Sequence, residues 1–182
     1  SRTRETLAGF GSLKCAKTTA ASAILENSGI DCVVIATPPS THFSLAAKAL
    51  ASGKHVLLEK PMVTSLAEAK KLRQLVRKSG STFMVGHQFV YNDYVSYLRA
   101  QLDSGALGRV RCAVGQHLRF PMRHDIGCLW DAGTHQLAVL NYLFKPGRVV
   151  SVSGSSVSMS KGGFDDFTAA TVKFRSGLVA AV

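Results

Sequence analysis

Two short apolar runs, each followed directly by a loop that contains proline, most narrowly constrain the fold of this chain. Residues 31–37 (DCVVIAT) and 55–58 (HVLL) are rich in β-branched and aliphatic side chains and have the length of buried strands. Residues 42–52 between them show helical apolar spacing, and a second helix–strand pair follows at 65–79 and 82–85. Ser65 and Glu68 have the spacing of a capping box at the start of the second helix, which we predict to end at Gly80. Strands that alternate with helices through short connections predict a parallel sheet covered by helices.

The pattern changes near residue 91, where a second domain begins. A helix is predicted to Leu102, and apolar residues then alternate with period two in several segments, which is typical of an antiparallel sheet with one covered face. The predicted elements are a strand at 109–120, a helix at 130–144 and strands at 149–157 and 167–174. We therefore predict an α/β chain with a parallel sheet in residues 1–88, followed by an α+β domain with a mostly antiparallel open sheet in residues 89–182.

The formal net charge of +11 raises the question of a nucleic-acid partner, because phosphate attracts basic surfaces of any shape. The densest basic cluster lies at helical spacing opposite apolar residues, as a solvated helix face does, and no aromatic side chains interleave with it to stack on bases. This cluster consists of Lys70, Lys71, Arg73, Arg77 and Lys78. We expect no nucleic-acid partner. The chain also has no run of about 18 apolar residues and no signal peptide, so we expect no membrane partner and a cytoplasmic location.

Four cysteines are scattered along the chain without ligand spacing such as CxxC. Three of them have apolar neighbours in the sequence, as buried thiols do. The cysteines are Cys15, Cys32, Cys112 and Cys128. We predict structural, buried thiols and no metal site.

Two candidate segments follow the first two predicted strands, where parallel sheets bind ligands at the carboxyl ends of strands. Pro38 and Pro39 oppose helix formation, so we expect an extended, rigid platform up to a helix start near His42. Glu59 and Lys60 precede Pro61, which restricts the backbone of Lys60. A lysine that is partly desolvated there has a lowered pKa and can serve as an acid–base group. The alternatives are an ordinary strand-to-helix loop for the first segment and a surface ion pair for the second.

A third segment pairs an aspartate with a histidine four residues later on a predicted helix. Asp131 and His135 then point to one face, where the carboxylate can orient the imidazole for proton transfer. The alternatives are a structural cap or ion pair, and a metal site, which lacks a matching second pair of ligands.

The order of these segments carries more information than each alone. The succession VVIATPPSTH, KHVLLEKPM, MVGHQF, SGALGRV and LWDAGTH resembles the Gfo/Idh/MocA oxidoreductases over almost the whole chain, and EKP is its most specific element. The resemblance implies an NAD(P)-dependent enzyme that moves a hydride between NAD or NADP and a secondary alcohol of a sugar, sugar nucleotide or cyclitol. The VGHQFVYND stretch and Trp130 are most similar to the branch that oxidises UDP-linked N-acetyl amino sugars at the 3-hydroxyl.

The resemblance also implies a role for individual residues. Lys60 is the active-site lysine, Asp131 and His135 form the acid–base pair, and Pro61 follows a peptide bond that is often cis. The implied cofactor-binding residues are Thr37, Pro38, Pro39, His42, Glu59, Lys60 and Gln88, and the implied substrate-binding residues are Tyr91, Arg119 and Trp130. The chain departs from the pattern of many relatives at two positions. It has Ala138 where they carry an aspartate and Val90 where they carry an arginine, and both differences concern the assignment of the substrate.

The resemblance implies that residues 1–88 are a partial dinucleotide-binding domain with a Rossmann-type parallel sheet. It implies that residues 89–182 are a partial C-terminal α/β domain for substrate binding and oligomerisation. The family opens with a strand and a GxGxxG turn, and nothing before Asp31 supplies them. Gly9-Phe-Gly11 is not that motif, because no strand precedes it and the third glycine is missing. The resemblance therefore implies a chain truncated at both ends. It also implies a homo-oligomer at full length and a small, sugar-like substrate. The alternative function is a non-catalytic binding or regulatory protein, or an inactive fragment that keeps the fold.

Overall fold

The structure, a computed structural model, describes residues 3–9, 11, 14–118, 125–159 and 163–182. It separates into two compact units, Ser1–Val85 and Gly86–Val182, and each is described by itself. In the part of the chain that the structure describes, no helix has the length and apolar character needed to cross a membrane.

The first unit contains a three-stranded parallel sheet with the order β1-β2-β3. Ile35 pairs with Leu58, which in turn pairs with Val85, so the three strands end at the same edge. This architecture confirms the predicted parallel α/β sheet. The elements of the unit are α1 (Arg4–Ala8), α2 (Ser22–Leu25), β1 (Cys32–Ile35), α3 (His42–Ala51), β2 (His55–Leu58), α4 (Leu66–Ser79) and β3 (Phe83–Val85).

The core of this unit lies between the sheet and its two long helices. Alternate residues of β1 and β2 point into it, as the period of a strand requires. Helix α3 contributes two fully buried alanines, and α4 contributes Leu72. The strand and alanine positions are Val33, Ile35, Val56, Leu58, Ala46 and Ala49.

The prediction that the cysteines are buried is wrong. Cys15, Cys32 and Cys112 are exposed, and Cys128 is half-buried, with all four thiols unbonded to one another. Cys32 shows the reason, because it is the first residue of β1 and faces away from the side on which Val33 is buried. Apolar neighbours in a strand alternate between two faces, so they do not predict the burial of the residue between them.

Helix α4 begins and ends as its sequence predicts. The Ser65 side chain accepts a hydrogen bond from the amide of Glu68 at 3.2 Å, and Gly80 ends the helix with a left-handed φ of 67°. That amide has no acceptor within the helix, so the serine satisfies a backbone donor.

We expect the substitution Ser65→Ala to lower the free energy of unfolding by about 1 kcal/mol, the usual value of an N-cap side chain. The measurement is urea denaturation followed by circular dichroism. Ser65→Asp keeps an acceptor oxygen at the cap and serves as the matched control. Equal losses for both variants would contradict a capping role.

The second unit is built on a four-stranded mixed sheet with the order β4-β7-β6-β5. Its β5–β6 and β6–β7 pairs are antiparallel and β4–β7 is parallel, which confirms a mostly antiparallel sheet. Helix α6 packs Leu140 against Val172 and Phe174 of this sheet. The elements are α5 (Asp93–Asp103), β4 (Cys112–Val114), a π-helical turn (Leu129–Gly133), α6 (Thr134–Phe144), β5 (Val149–Val157), β6 (Phe167–Phe174) and β7 (Val179–Ala181).

The strand predicted at residues 109–120 is much shorter in the structure. Strand β4 covers Cys112–Val114, because it pairs only along the three residues of β7. The amide of Gly115 makes one more bond, to the carbonyl of Ala181 at 2.9 Å, and residues 115–118 then leave the strand conformation. Backbone hydrogen bonding to a partner, which the local pattern does not contain, determines where the strand ends.

Candidate functional site

The first candidate site lies at the carboxyl edge of the parallel sheet in the first unit. Thr37 and Lys60 each follow by two residues the paired strand ends Ile35 and Leu58. The amide of Glu59 continues the ladder by donating to the carbonyl of Ile35 at 2.9 Å. The two loops predicted to carry chemistry therefore begin side by side, at the edge where open parallel sheets bind ligands.

His42 joins these two loops. Its side chain is 1% exposed, and its Nε2 lies 2.8 Å from the carbonyl oxygen of Thr37. Its Nδ1 lies 2.8 Å from the carbonyl oxygen of Pro61, and the Lys60–Pro61 peptide bond is cis. One buried ring thus fixes the spacing between the loop after β1 and the loop after β2.

The platform after β1 is partly helical, contrary to the expectation of an extended run up to His42. Pro39–Thr41 forms a 3₁₀ turn, in which Pro39 occupies an early position that tolerates its missing amide hydrogen. Pro38 keeps an extended ψ of 141°. The hydroxyls of Thr37 and Thr41 are 2.7 Å apart, so the threonine that the resemblance places at the cofactor is hydrogen-bonded within the turn.

The chemistry of these side chains suits the ribose and carboxamide of a nicotinamide nucleotide. Thr37 offers a hydroxyl, exposed Glu59 offers a carboxylate and half-buried Lys60 offers an ammonium group. The Glu59 carboxylate also accepts a hydrogen bond from the Lys60 amide at 3.2 Å, which orders the loop that carries the lysine. Donors and acceptors at one sheet edge are what a ligand with several hydroxyls and an amide needs.

The second candidate site belongs to the second unit and is centred on Asp131 and His135. Asp131 lies in the π-helical turn and His135 in the first turn of α6, and each is only 6% exposed. The Asp131 amide donates to the carbonyl of Gly127 at 3.0 Å. Turns of π-helix occur often at functional sites, and titratable groups buried in such a segment are suited to acid–base chemistry.

Two aromatic rings that were not predicted as site residues lie next to His135. The ring of Phe89 meets the imidazole edge-on at a centroid distance of 4.7 Å, and the His117 ring lies parallel to it at 6.2 Å. Phe89 belongs to the 3₁₀ turn Gln88–Tyr91. This contact brings the turn with predicted residues Gln88 and Tyr91 to the first turn of α6.

The remaining predicted substrate residues have different positions. Trp130 adjoins Asp131 in the π-helical turn and keeps 39% of its surface exposed, whereas Tyr91 is 67% exposed. Arg119 lies outside the described residues. The structure therefore places the predicted acid–base pair, Trp130 and the Gln88–Tyr91 turn in the second unit, while the predicted lysine belongs to the first.

A cavity of about 670 Å³ opens beside Asp131, a volume in the range of small-molecule sites. Apolar side chains of the sheet form much of its wall, and a few polar groups converge on it. The polar lining residues are Gln116, His117, Cys128, Asp131, Gln136, Asp166 and Thr168. Within the described ranges, no three His, Cys, Asp or Glu side chains group as metal ligands would.

Asp165 is a further residue near this cavity that was not predicted. Its Oδ2 accepts hydrogen bonds from the Leu129 amide at 2.9 Å, the Cys128 thiol at 3.0 Å and the Thr168 hydroxyl at 3.0 Å. Burial by itself raises the pKa of this carboxyl, but these bonds outweigh burial and leave the pKa below its usual value. Burial also raises the pKa of the Cys128 thiol, so its sulfur remains a protonated donor.

Comparison with known families matches both units. Residues 4–87 match the GFO_IDH_MocA family model, described as "Oxidoreductase family, NAD-binding Rossmann fold". Residues 95–182 match the GFO/IDH/MocA C-terminal domain. The first match includes residues 4–30, for which the sequence patterns predict no role.

Individual relatives agree with these matches. A 1-carboxy-3-chloro-3,4-dihydroxycyclo hexa-1,5-diene dehydrogenase of Comamonas testosteroni is 30% identical over 175 residues, which cover 87% of this chain and 43% of that protein. A scyllo-inositol 2-dehydrogenase (NAD(+)) of Bacillus subtilis is 30% identical over 72% of this chain and 40% of its own length. The chain thus spans somewhat less than half of these two curated relatives.

A solved structure shares the fold. It is an inositol dehydrogenase homolog of Azotobacter vinelandii complexed with NADH and myo-inositol, with a TM-score of 0.78 and 26% identity. The match covers 89% of this chain and 46% of that structure.

Proposed function

Because the chain belongs to the Gfo/Idh/MocA family of oxidoreductases, we propose that its protein is an NAD(P)-dependent dehydrogenase of secondary alcohols in sugars, sugar nucleotides or cyclitols. One observation carries the proposal: Asp131 and His135 are both buried on one helical segment, and Asp131 lines a cavity of about 670 Å³. A protein that only binds its ligand has no need of a buried aspartate at the cavity wall with a buried histidine four residues later on the same helical segment.

A bound nicotinamide supplies the acceptor or donor for the hydride that leaves or joins the alcohol carbon. In the oxidative direction the alcohol must also lose its hydroxyl proton. We assign that proton to His135 or Lys60, with Asp131 orienting the imidazole and stabilising its charged form. Lys60 in addition donates a hydrogen bond to the substrate oxygen while it becomes a carbonyl. In the reductive direction the same groups return the proton.

Thr37, Glu59 and Lys60 are the residues of the first unit that we propose to hold the ribose and nicotinamide. His42 acts on them through the backbone, because its ring contacts the carbonyl oxygens of Thr37 and Pro61. Pro38, Pro39 and Gln88 complete the proposed cofactor contacts, and they stand on the resemblance alone.

The proposed substrate class rests on the cyclic polyols in the names of two similar proteins, the scyllo-inositol dehydrogenase and the homolog with myo-inositol. Trp130, Tyr91 and Arg119 are the proposed substrate contacts. The branch that acts on UDP-linked amino sugars stays a prediction, since Ala138 and Val90 replace residues common in many relatives.

The test begins with cofactor binding, measured by titrating NADH and NADPH and following the fluorescence of the reduced nicotinamide. Turnover of cyclitols, free sugars and sugar nucleotides is then assayed with the full-length protein. Saturable binding together with turnover of one substrate class supports the proposal. Binding without turnover of any class points to the non-catalytic alternative, and absence of both rejects the dehydrogenase.

We expect His135→Gln to lower kcat by about 10²–10⁴-fold, the usual contribution of a general acid or base. The affinity for NADH should not change, because Thr37, Glu59 and Lys60, which we propose to hold the ribose and nicotinamide, belong to the first unit. His55→Asn is the matched control, since asparagine preserves an acceptor for the Thr82 amide that His55 now binds at 2.9 Å. An unchanged kcat for His135→Gln would remove this residue from the proton path.

A further inference from the structure

The helical segment that carries Asp131 and His135 begins without a side-chain cap of its own. Cys128 is the N-cap residue, and its side chain makes no hydrogen bond to the backbone amides that follow. The first amides of any helix lack partners within the helix. Here the acceptor for the Leu129 amide comes from a residue 36 positions away in the sequence.

That residue is Asp165, which contacts the start of the segment through its side chain and its backbone. Its Oδ2 accepts hydrogen bonds from the Leu129 amide and the Cys128 thiol at 2.9 and 3.0 Å. Its carbonyl oxygen accepts the Cys128 amide at 2.8 Å. A carboxylate at this end of a helix is also stabilised by the partial positive charge of the helix dipole.

Gly127 leaves space for the Asp165 carboxylate at the start of the helical segment. A Cβ atom on this residue would lie 1.7 Å from Oδ1 of Asp165, so any other residue would displace the carboxylate. The carbonyl of Gly127 meanwhile accepts the Asp131 amide at 3.0 Å. The same residue thus makes room for Asp165 and holds the backbone of the proposed acid–base residue.

Asp165 is itself anchored to the sheet. Thr168, in strand β6, donates from its hydroxyl to Oδ2 of Asp165 at 3.0 Å, and its oxygen lies 2.8 Å from the Ser156 hydroxyl in β5. Strand β6 continues into the core of the unit at Val172 and Phe174. The contacts therefore connect the acid–base segment to two paired strands.

The opposite end of α6 is held by a positive charge. The Arg99 guanidinium donates to the carbonyl oxygens of Tyr142, at 3.2 Å, and of Leu143. Cations are favourable at this end of a helix, as anions are at the other. Arg99 holds the C-terminal end of α6. Loss of Asp165 is therefore expected to displace the N-terminal end of the segment, where Asp131 lies.

We propose that Asp165 is a positioning residue, whose carboxylate sets the place and orientation of the turn that carries Asp131 beside His135. The proposal rests on the proposed function for its catalytic consequence. Asp165 does not take part in proton transfer, and it acts through the Cys128 and Leu129 backbone. In the folded protein the pKa of the Asp165 carboxyl is lowered below its unfolded value of about 3.9. The stabilisation by its charge is therefore fully present above the unfolded pKa and is lost as the pH falls through the folded pKa.

The test uses two variants that disturb the same contact from opposite sides, Asp165→Ala and Gly127→Ala, in the full-length protein. We expect each to lower kcat by about 10²-fold, the cost of misplacing a catalytic group by about 1 Å, with unchanged NADH affinity. Asp165→Asn keeps an oxygen acceptor for the Leu129 amide and should recover part of the loss. Asp93→Asn removes an exposed carboxylate in the same unit and should leave kcat unchanged.

The second readout does not depend on turnover. The ring resonances of His135, identified by their loss in His135→Gln, are recorded by NMR and should shift in Asp165→Ala and Gly127→Ala but not in Asp93→Asn. A lower melting temperature with unchanged His135 resonances and kcat would overturn the proposal, since Asp165 would then be merely structural. If the wild-type protein turns over no substrate, the proposed function fails, and the resonances alone decide whether Asp165 positions the pair.

Discussion

Replacement of Lys60 by alanine in the full-length protein is expected to lower kcat by about 10²–10⁴-fold, the range for loss of a positioned acid–base group. Lys60 follows β2 at the carboxyl edge of the parallel sheet, and the cis peptide bond to Pro61 follows it directly. Its ammonium group is proposed to donate to the substrate oxygen, a task that alanine cannot perform. The measurement is steady-state turnover of the substrate found in the cyclitol and sugar assays.

The control for this variant is Lys48→Ala, which removes an exposed lysine in the last turn of α3 and should leave kcat unchanged. Lys60→Arg retains the positive charge but not the compact ammonium geometry. A large loss with arginine as well would indicate that placement of the donor matters more than charge. Turnover close to wild type in Lys60→Ala would refute the assigned role.

The second large effect concerns stability, and His42 is its source. We expect His42→Ala to lower the free energy of unfolding of the first unit by about 2–4 kcal/mol, through lost hydrogen bonds and an internal cavity. The imidazole is almost completely buried between the carbonyl oxygens of Thr37 and Pro61. Urea denaturation followed by circular dichroism measures the change.

A companion variant separates the two contributions. His42→Leu fills most of the volume but donates no hydrogen bond, so its loss reports on the carbonyl oxygens that remain without a partner. A loss well below 1 kcal/mol in both variants would show that water replaces the imidazole and that the two loops do not depend on it.

Local patterns predicted the parts of the fold whose causes are local. Strands β2, β5 and β6 begin and end at the predicted residues, because period-two alternation and β-branched side chains act within each strand. The start of α4 was predicted from Ser65 and Glu68, which form the cap themselves. In each case the signal and the structure involve neighbouring residues.

Predictions were wrong where the cause lies elsewhere in the chain. The length of β4 depends on its pairing with β7, and the exposure of Cys32 depends on which face of β1 the helices cover. Neither is contained in the surrounding residues. The order of the motifs along the chain predicted the family, which matches residues 4–87 and 95–182.

Sequence patterns could not predict the neighbours of the candidate site for the same reason. Asp165 is separated from Cys128 by 37 residues, and His117 follows a strand that is distant in sequence from α6. The adjacent pair Asp165–Asp166 was visible in the sequence, but nothing local distinguishes a helix-capping aspartate from a solvated one. Only the folded chain brings these side chains to the acid–base segment.

The π-helical turn Leu129–Gly133 has a consequence for transplanting the Asp-x-x-x-His motif. A π turn accommodates one residue more per hydrogen-bonded ring than an α turn does, and here that extra residue lies between Asp165's contacts and His135. Deleting one residue from the turn would rotate all residues on its N-terminal side by about 100° around the helix axis. Copying the five-residue motif onto a regular α-helix would therefore reproduce the sequence but not the geometry. The relative orientation of the Asp131 and His135 side chains depends on a helical irregularity that the motif does not specify.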